Sequence, residues 1–547
     1  MPRLGRLALL ALPLLLAVAL RLLGALLRPV WVDEAATAIF SSGNSSWSTA
    51  INQLLPLEGF VRALRLTGPD QLGAALTHLH SQDNHPPLHF ALAFVTGQLL
   101  QEPGSVLQPL TARLPAVLCG GLAVPLLHRA VLAASGDRRA AGLAAAAMAV
   151  SPLAVAMGLE ARHYALATTL VCAALWALAA GWRHQQQHTT PVPGRLLAGW
   201  LALNLLGLLS HHLFVLCIAA QLITVLGLAS LQHRRLCWPG RLALAPALSL
   251  LLAGIWLALQ GGGGAADQTA WLALDPAQPL QWLVMPLQLL VTALCAVLAP
   301  GTSLAHLWQW PFVIAAGAAT LLGLVALGAV VWRASKPSPL LLLFSLSSLA
   351  LLLAASLISG KDFSRALRYG FVFVPGVLGL LAVAASQAQS RGRGRAVSVL
   401  LGCSLVCSLA VAAGVALPAS YNPDLLVSEI KAQSRQPIVL AFQERPVPRG
   451  QPLIGYEGLS IAWHLHTHPK QLQQLSRNGV PPRLLLLRSK GNNPAEGLQQ
   501  LESIKGPLDL WIVNAHGTAS LPIQRSDCRH LRYASAGGHL HDHYRCD

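Results

Sequence analysis

Residues 7–34 read LALLALPLLLAVALRLLGALLRPVWVDE, a long apolar run followed at once by two adjacent carboxylates. The apolar part is long enough to cross a bilayer, because a spanning helix needs about 20 apolar residues. Arg3 and Arg6 precede the run, so we expect a cytoplasmic N-terminus. No small-residue cleavage site follows it, and we interpret it as a retained first helix. Asp33 and Glu34 then emerge at the outer face.

The composition of the whole chain also indicates a membrane protein. Of its 547 residues, 54% are hydrophobic and only 11% are charged, whereas a soluble chain carries roughly a quarter charged residues. Long apolar runs recur without the alternation that a β-barrel needs. We therefore predict an all-α polytopic membrane protein.

The basic residues indicate how the chain crosses the membrane. They cluster in short loops between the apolar runs, as the positive-inside rule describes, so the net charge of +17 reflects topology and not a nucleic-acid partner. About eleven spans satisfy this rule, at 7–28, 112–133, 140–158, 163–181, 196–210, 213–231, 242–259, 311–332, 338–358, 370–388 and 396–417. The basic loop 361–369 is the one exception, because it is predicted outside. Segments 87–100 and 279–299 are predicted to be interfacial or re-entrant.

We expect two domains. Residues 1–417 form the membrane domain, with residues 31–111 as its first outer loop, in which 54–66 and 71–80 are predicted to be amphipathic helices along the membrane. Residues 418–547 form a small extracytoplasmic α/β domain, with helices at 424–433 and 494–504 and strands at 438–442, 484–487 and 508–513. Cys528 and Cys546 of this tail are a candidate disulfide if the tail is extracytoplasmic.

Many unusual polar residues are predicted at one face of the membrane. These are Asp33, Glu34, Asp83, His85, Glu160, Arg162, Tyr164, His211, His212, Lys361, Arg365 and Arg368. Each alone fits a solvated flank of a span. Their convergence favours a site, because the cytoplasmic cations that set the topology are different residues. Arg21, inside the first span, either snorkels to the interface or faces inward as a cation.

The residue types favour displacement of a phosphate. Asp33 can act as a general base towards an acceptor hydroxyl, and Glu34 must point elsewhere because adjacent side chains diverge. Lys361, Arg365 and Arg368 have the i, i+4, i+7 spacing of one helix face, which suits an anion such as phosphate. The alternative for these cations is pairing with Asp362 and water.

No cofactor is predicted, and a divalent metal held by Asp33, Asp83 and His85 is the alternative.

Several of these motifs, in this order, resemble the GT-C glycosyltransferases, and most closely the family of protein O-mannosyltransferases and lipid A aminoarabinose transferases. The matching pieces are Arg21-Leu-Leu, Trp31-Val-Asp33-Glu34-Ala, Asp83-Asn-His85-Pro-Pro-Leu, Thr111-Ala-Arg113-Leu-Pro-Ala, Glu160-Ala-Arg162-His-Tyr164-Ala-Leu, Leu209-Ser-His211-His212 and Arg368-Tyr369. They lie within residues 1 to 420. Histidines stand at 163 and 212, where the family has its usual second aromatic residue.

The resemblance implies a polyprenyl-phosphate-sugar donor, an extracytoplasmic active site and inversion at the anomeric carbon. It gives Asp33 the catalytic role, and Arg365 and Arg368 a role in binding the donor phosphate, with Lys361, Arg162 and Arg21 as further candidates. The acceptor, whether lipid, glycan or protein, does not follow from it. We expect the protein in the cell inner or plasma membrane.

Two alternatives remain at this stage. A transporter or flippase of lipid-linked sugars would place its ionisable groups near mid-membrane. A glycan polymerase or ligase would depend on arginines and a histidine more than on Asp33.

Overall fold

The computed structural model describes residues 3–45, 52–83, 85–188, 190–231, 239–259, 269–275, 277–278, 280–304, 306–332, 334, 336–443, 456–487, 504, 506–513 and 527–547. The chain forms two compact units. The first, the span unit, contains Met1–Leu27, Asn84–His89 and Arg113–Pro418. The second, the loop–tail unit, contains Arg28–Asp83, Phe90–Ala112 and Ala419–Asp547. The loop after the first span is therefore grouped with the tail, whereas the predicted domains placed it with the spans.

The span unit consists of apolar helices. Their bounds are Arg3–Leu27, Pro109–Ser135, Arg138–Ala149, Pro152–Gly158, Tyr164–Gln187, Gly194–Leu208, Phe214–Leu231, Pro239–Leu259, Leu280–Cys295, Trp310–Val331, Pro339–Ser359, Val374–Ser390 and Gly394–Ala412. Short 3-10 helices lie at Ala270–Leu272, Leu307–Gln309, Phe363–Arg365 and Leu367–Val372. The predicted class, a multi-pass helical membrane protein, is confirmed.

Fewer helices than the predicted eleven qualify as spans when they are judged by length and composition. Among the described residues, 8 helices are long and apolar enough to cross, or 9 if a bent pair counts as one span. Predicted spans 196–210 and 370–388 are helices of only 15 and 17 residues. Leu88–Leu100 and Leu280–Cys295, at 13 and 16 residues, rise only about 20 and 24 Å. Each is shorter than a hydrocarbon core of about 30 Å.

The bent pair consists of helices Arg138–Ala149 and Pro152–Gly158, whose axes differ by 54°. At the break, Ser408 Oγ donates to Val150 O at 2.7 Å. Arg21 Nη1 lies 2.9 Å from Ala17 O and 3.4 Å from Ala149 O. Backbone carbonyls at a helix end need such partners in an apolar interior.

Arg21 is fully buried. Its side chain crosses Gly120 and Gly158, where an added Cβ would stand 2.3 and 2.5 Å from Nε. Of the two alternatives for Arg21, the inward-facing cation is therefore the observed one.

The loop–tail unit is built on a six-stranded sheet in the order β1-β3-β2-β4-β6-β5. The strands are β1 (Leu54–Pro56), β2 (Ile438–Gln443), β3 (Arg483–Leu487), β4 (Leu508–Val513), β5 (Cys528–Ala536) and β6 (His539–Cys546). Strands β3, β2 and β4 are parallel, and the other pairs are antiparallel. Strand β1 comes from the first loop, so loop and tail share one sheet.

Helices complete this unit at Val32–Ser41, Leu57–Phe60, Leu72–Gln82, Pro423–Gln433, Tyr456–Thr467 and Pro469–Leu475, with 3-10 turns at Val61–Leu64 and Pro69–Gln71. Helix Leu88–Leu100 belongs to the span unit up to His89 and to this unit from Phe90. The expected helix at 54–66 is wrong for its first residues, because Leu54 and Leu55 pair with β3. The predicted helix 494–504 lies outside the described residues except for Ile504.

Loop and tail are also joined by side chains. Helix Val32–Ser41 packs on the tail helix Tyr456–Thr467 through a buried face that includes Ala38 and Ile39. Trp463 Nε1 donates to Leu107 O at 2.7 Å. Cys528 and Cys546, the candidate pair, form a disulfide that joins β5 to β6.

Candidate functional site

The span unit brings several predicted site residues together where its helices begin and end. Four histidine rings lie close together, with His163 at the centre. The ring centroids of His85, His89 and His211 lie 5.3, 6.4 and 4.8 Å, respectively, from that of His163. We call these four residues the histidine cluster. Two of them were not among the candidate residues from sequence.

Two arginines and two tyrosines border the cluster. Arg162 Nη2 lies 3.4 Å from His85 Nε2, and the Arg368 guanidinium lies 5.4 Å from the centre of the Tyr164 ring. Tyr369 lies 6.2 Å from Tyr164 and 5.7 Å from His211, between ring centroids. Four separate segments thus supply one site, which has cationic groups beside aromatic faces. We call Arg162 and Arg368 the arginine pair.

A tight hairpin between helices Gly194–Leu208 and Phe214–Leu231 fixes His211. The Phe214 ring covers Gly207 so closely that an added Cβ would stand 2.2 Å from it. His211 Nδ1 accepts a hydrogen bond from the Leu213 backbone N–H at 3.0 Å. A nitrogen that accepts carries the lone pair, so neutral His211 has its proton on Nε2.

Burial decides the charge of these imidazoles. Burial, and then the charges of His211 and Arg162, hold the pKa of His163 well below its usual 6.5. Burial, followed by the charges of His212 and His85, lowers the pKa of His211 in the same way. Both rings are therefore neutral at pH 7, and the arginine pair supplies the positive charge.

The three cations predicted to share a helix face do not do so. Their segment is two short 3-10 helices, Phe363–Arg365 and Leu367–Val372, with an extended Ala366 between them. The helical spacing that joined the three residues is lost there. Only Arg368 borders the histidine cluster.

The other two cations face residues 269–271 of the same unit. Arg365 Nε lies 3.4 Å from Asp362 Oδ2, and its Nη1 donates to Trp271 O at 3.3 Å. Lys361 Nζ donates to Thr269 Oγ1. The alternative pairing with Asp362 is thus the observed one for Arg365.

The loop–tail unit contains the two adjacent carboxylates, which have different environments. Asp33 lies half-buried in the first turn of helix Val32–Ser41. Glu34 is fully buried, and its Oε2 accepts a hydrogen bond from the Trp31 backbone N–H at 3.3 Å. Glu34 therefore stabilises the start of the helix, and the expectation that the two side chains diverge fits this difference.

The remaining candidates have the following places. Arg113 is buried and its Nη1 donates to Ala25 O at 2.6 Å, so it holds the first span. Glu160 precedes the site, and its carbonyl accepts from Arg162 N at 2.7 Å. His212 is half-buried in the hairpin, and Asp83 is buried at the end of helix Leu72–Gln82.

Among the described residues, no group of three or more His, Cys, Asp or Glu could hold a metal ion. The alternative of a divalent metal at Asp33, Asp83 and His85 therefore has no support among these residues.

Sequence reasoning omitted His89, His163 and Phe371 from the site. His89 follows His85 by four residues at the start of a helix, and this spacing was a usable signal. Phe371, whose ring lies 4.8 Å from His211, gives no signal in sequence, because a phenylalanine between two apolar helices is usually core.

Comparisons with known proteins give a fold and no close relative. No family model matches the chain, and no curated protein matches it. The chain is similar to ArnT from Cupriavidus metallidurans, solved bound to undecaprenyl phosphate, at a TM-score of 0.50 and 12% identity over 99% of this chain and 98% of that one. The apo state of that protein gives a TM-score of 0.50 at 13% identity, over 98% of both chains. The oligosaccharyltransferase of Archaeoglobus fulgidus gives 0.44 at 14% identity, over 92% of this chain and 67% of that one.

The chain therefore shares the fold of the ArnT structures, in agreement with the resemblance that the sequence motifs suggested.

Proposed function

We propose that this protein is a membrane glycosyltransferase that moves a sugar from a polyprenyl-phosphate-linked donor to an acceptor hydroxyl or phosphate. The observation that carries the proposal is the arginine pair, set against aromatic and imidazole rings by four segments of the span unit. Such a site suits a lipid-linked phosphate, and the similar ArnT structure contains undecaprenyl phosphate.

Asp33 is the proposed general base, which takes the proton of the acceptor hydroxyl as the sugar is transferred. Its half-burial suits this role, because a base must reach its substrate. Glu34 already serves to stabilise the helix. The arginine pair stabilises the phosphate that departs as an anion. The reaction inverts the anomeric carbon and takes place at the extracytoplasmic face of the cell membrane.

Transfer of label from a panel of polyprenyl-phosphate sugars, in membranes containing wild type or Asp33→Asn, tests this proposal. We expect wild type to label an acceptor and Asp33→Asn to lose roughly 10²-fold or more in rate, the usual contribution of a general base. Asp70→Asn is the matched control, because Asp70 is an exposed acid of the same loop. It should retain wild-type transfer.

Full activity of Asp33→Asn would remove Asp33 as the base. If wild type transfers label from no donor in the panel but translocates a lipid-linked sugar independently of Asp33, the protein is a transporter.

A further inference from the structure

The histidine cluster has no role in the proposed reaction, although it lies beside the arginine pair. His163, at the centre, is 2% exposed and replaces the aromatic residue that the motif resemblance leads us to expect. Among the described residues, His85, His89, Arg162, Tyr164 and His211 border His163. His212, Arg368 and Tyr369 border His211 or Tyr164. The two guanidinium groups beside these neutral imidazoles repel an added proton, and a bound anion would offset that repulsion.

We propose that His163 takes up a proton when a phosphate monoester dianion occupies the arginine pair, so that the site distinguishes the leaving phosphate from the donor diester. This inference rests on the proposed function. It concerns the phosphate product, whereas the proposed function concerns the transfer itself.

The charge balance of the reaction supplies the reason. The bond between the anomeric carbon and the donor phosphate oxygen breaks, and its electron pair stays on the phosphate. The phosphate thereby changes from a diester with one negative charge to a monoester with two. The acceptor loses its hydroxyl proton to Asp33, which releases it to solution. A proton taken from solution by an imidazole then offsets the second negative charge, because an anion nearby favours the charged form of a base.

The hydrogen bonds distinguish His163 from His211. His211 Nδ1 accepts from Leu213 N–H, so a proton added there would displace that bond. His163 Nδ1 is buried and has no hydrogen-bond partner among the described residues. A proton bound at His163 therefore breaks no observed hydrogen bond, and a phosphate oxygen can accept from the N–H that forms.

Calorimetric proton counting with the full chain in lipid nanodiscs tests this inference. The probes are undecaprenyl phosphate and its methyl diester, each titrated at pH 8 in two buffers of different ionisation enthalpy. At this pH the free monoester is a dianion. For wild type we expect about one proton taken up per monoester and none per diester, since only the dianion adds the second charge.

Two variants and one control complete the test. His163→Phe keeps an aromatic ring and His163→Gln keeps a polar side chain, so at least one should preserve packing. Each variant should abolish the proton uptake and weaken the binding of the monoester roughly tenfold, while the affinity for the diester stays unchanged. His80→Asn changes an exposed histidine of helix Leu72–Gln82 and should match wild type.

An equal proton count in wild type and both His163 variants overturns the inference while leaving the proposed function standing. Failure of wild type to bind the monoester overturns both.

Discussion

Histidines are concentrated in both units of this protein, but they have different partners. In the loop–tail unit they pair with carboxylates: His539 with Glu457, His543 with Asp509 at 2.8 Å, and His530 with Asp542 at 2.8 Å. In the span unit, the charges that most affect His163 and His211 belong to arginines and other histidines.

The difference separates a structural use of histidine from the functional use that we propose. A histidine–carboxylate pair compensates its own charge and joins the elements that carry it. Asp509 shows this, because it accepts from Arg435 N, Gln436 N, His543 and Arg545, and so ties β4 to β6 and to the segment before β2. In the span unit the positive charge comes from the arginine pair, and charged groups beside buried titratable rings are typical of sites that bind a charged ligand.

Asp509→Asn tests the structural half of this comparison and should have the largest effect. Asn has no charge and keeps one acceptor oxygen, so either His543 and Arg545 or the backbone N–H groups of residues 435 and 436 lose their acceptor. Loss of one partner of a buried ion pair costs roughly 3–5 kcal/mol. Pulse proteolysis of the full chain measures this loss of stability in the loop–tail unit. Glu102→Gln, an exposed acid of the same unit, is the control. Equal resistance of Asp509→Asn and wild type would contradict the structural role.

Arg368→Gln tests the functional half. The change should weaken undecaprenyl phosphate binding by roughly 30-fold, equivalent to about 2 kcal/mol for a charge-assisted hydrogen bond. Arg365→Gln is the matched variant, because Arg365 is already engaged by Asp362 and Trp271 O; we expect a smaller loss of affinity there. Equal losses would restore Arg365 to the phosphate site that its sequence spacing predicted. Calorimetric titration of both purified variants measures the difference.

The pH dependence of stability should also differ between the two units. The hydrogen bond from His543, with those from the backbone N–H groups and Arg545, outweighs burial and lowers the pKa of Asp509 from 3.8 to about 2. A carboxyl pKa lowered by folding gives stability that is complete above the unfolded value and is lost as pH falls towards 2.

For His163 and His211, stability also falls as pH decreases, but the fall begins at a higher pH than it does for Asp509. Their pKa values are lowered by folding, so below about 6.5 the unfolded chain binds more protons than the folded chain, and stability falls. Thermal unfolding of the wild type at pH 7.5 and 5.5, beside His163→Phe with His211→Asn, measures this smallest effect. Asn keeps an acceptor for Leu213 N–H. The double variant should lose less stability on acidification; an identical loss would show that other groups titrate.

The sequence allowed some of the site to be predicted, because helix ends and loop charges are local signals. Arg162, Tyr164, His211, Arg368 and Tyr369 were all expected at one face, and the structure brings them together in one unit. The i, i+4, i+7 spacing of the cations misled, because it assumed an α-helix where two short 3-10 helices form.

The grouping of loop and tail could not be predicted either. Strand β1 has three residues, too few for periodicity to show, and it forms only because β3 offers an edge. The helix that carries Asp33 packs on a tail helix distant in sequence. A role for the tail, in supporting that helix, is visible only in the fold.

The sequence by itself determined that this is a multi-pass membrane protein and where its polar residues concentrate, because a long apolar run has few alternatives to a helix in lipid. Only the tertiary structure decided which cation joins the histidines, which carboxylate stabilises a helix, and which imidazole nitrogen has no hydrogen-bond partner in the described part of the chain. Those outcomes depend on contacts between segments far apart in the chain, and local sequence patterns do not encode such contacts.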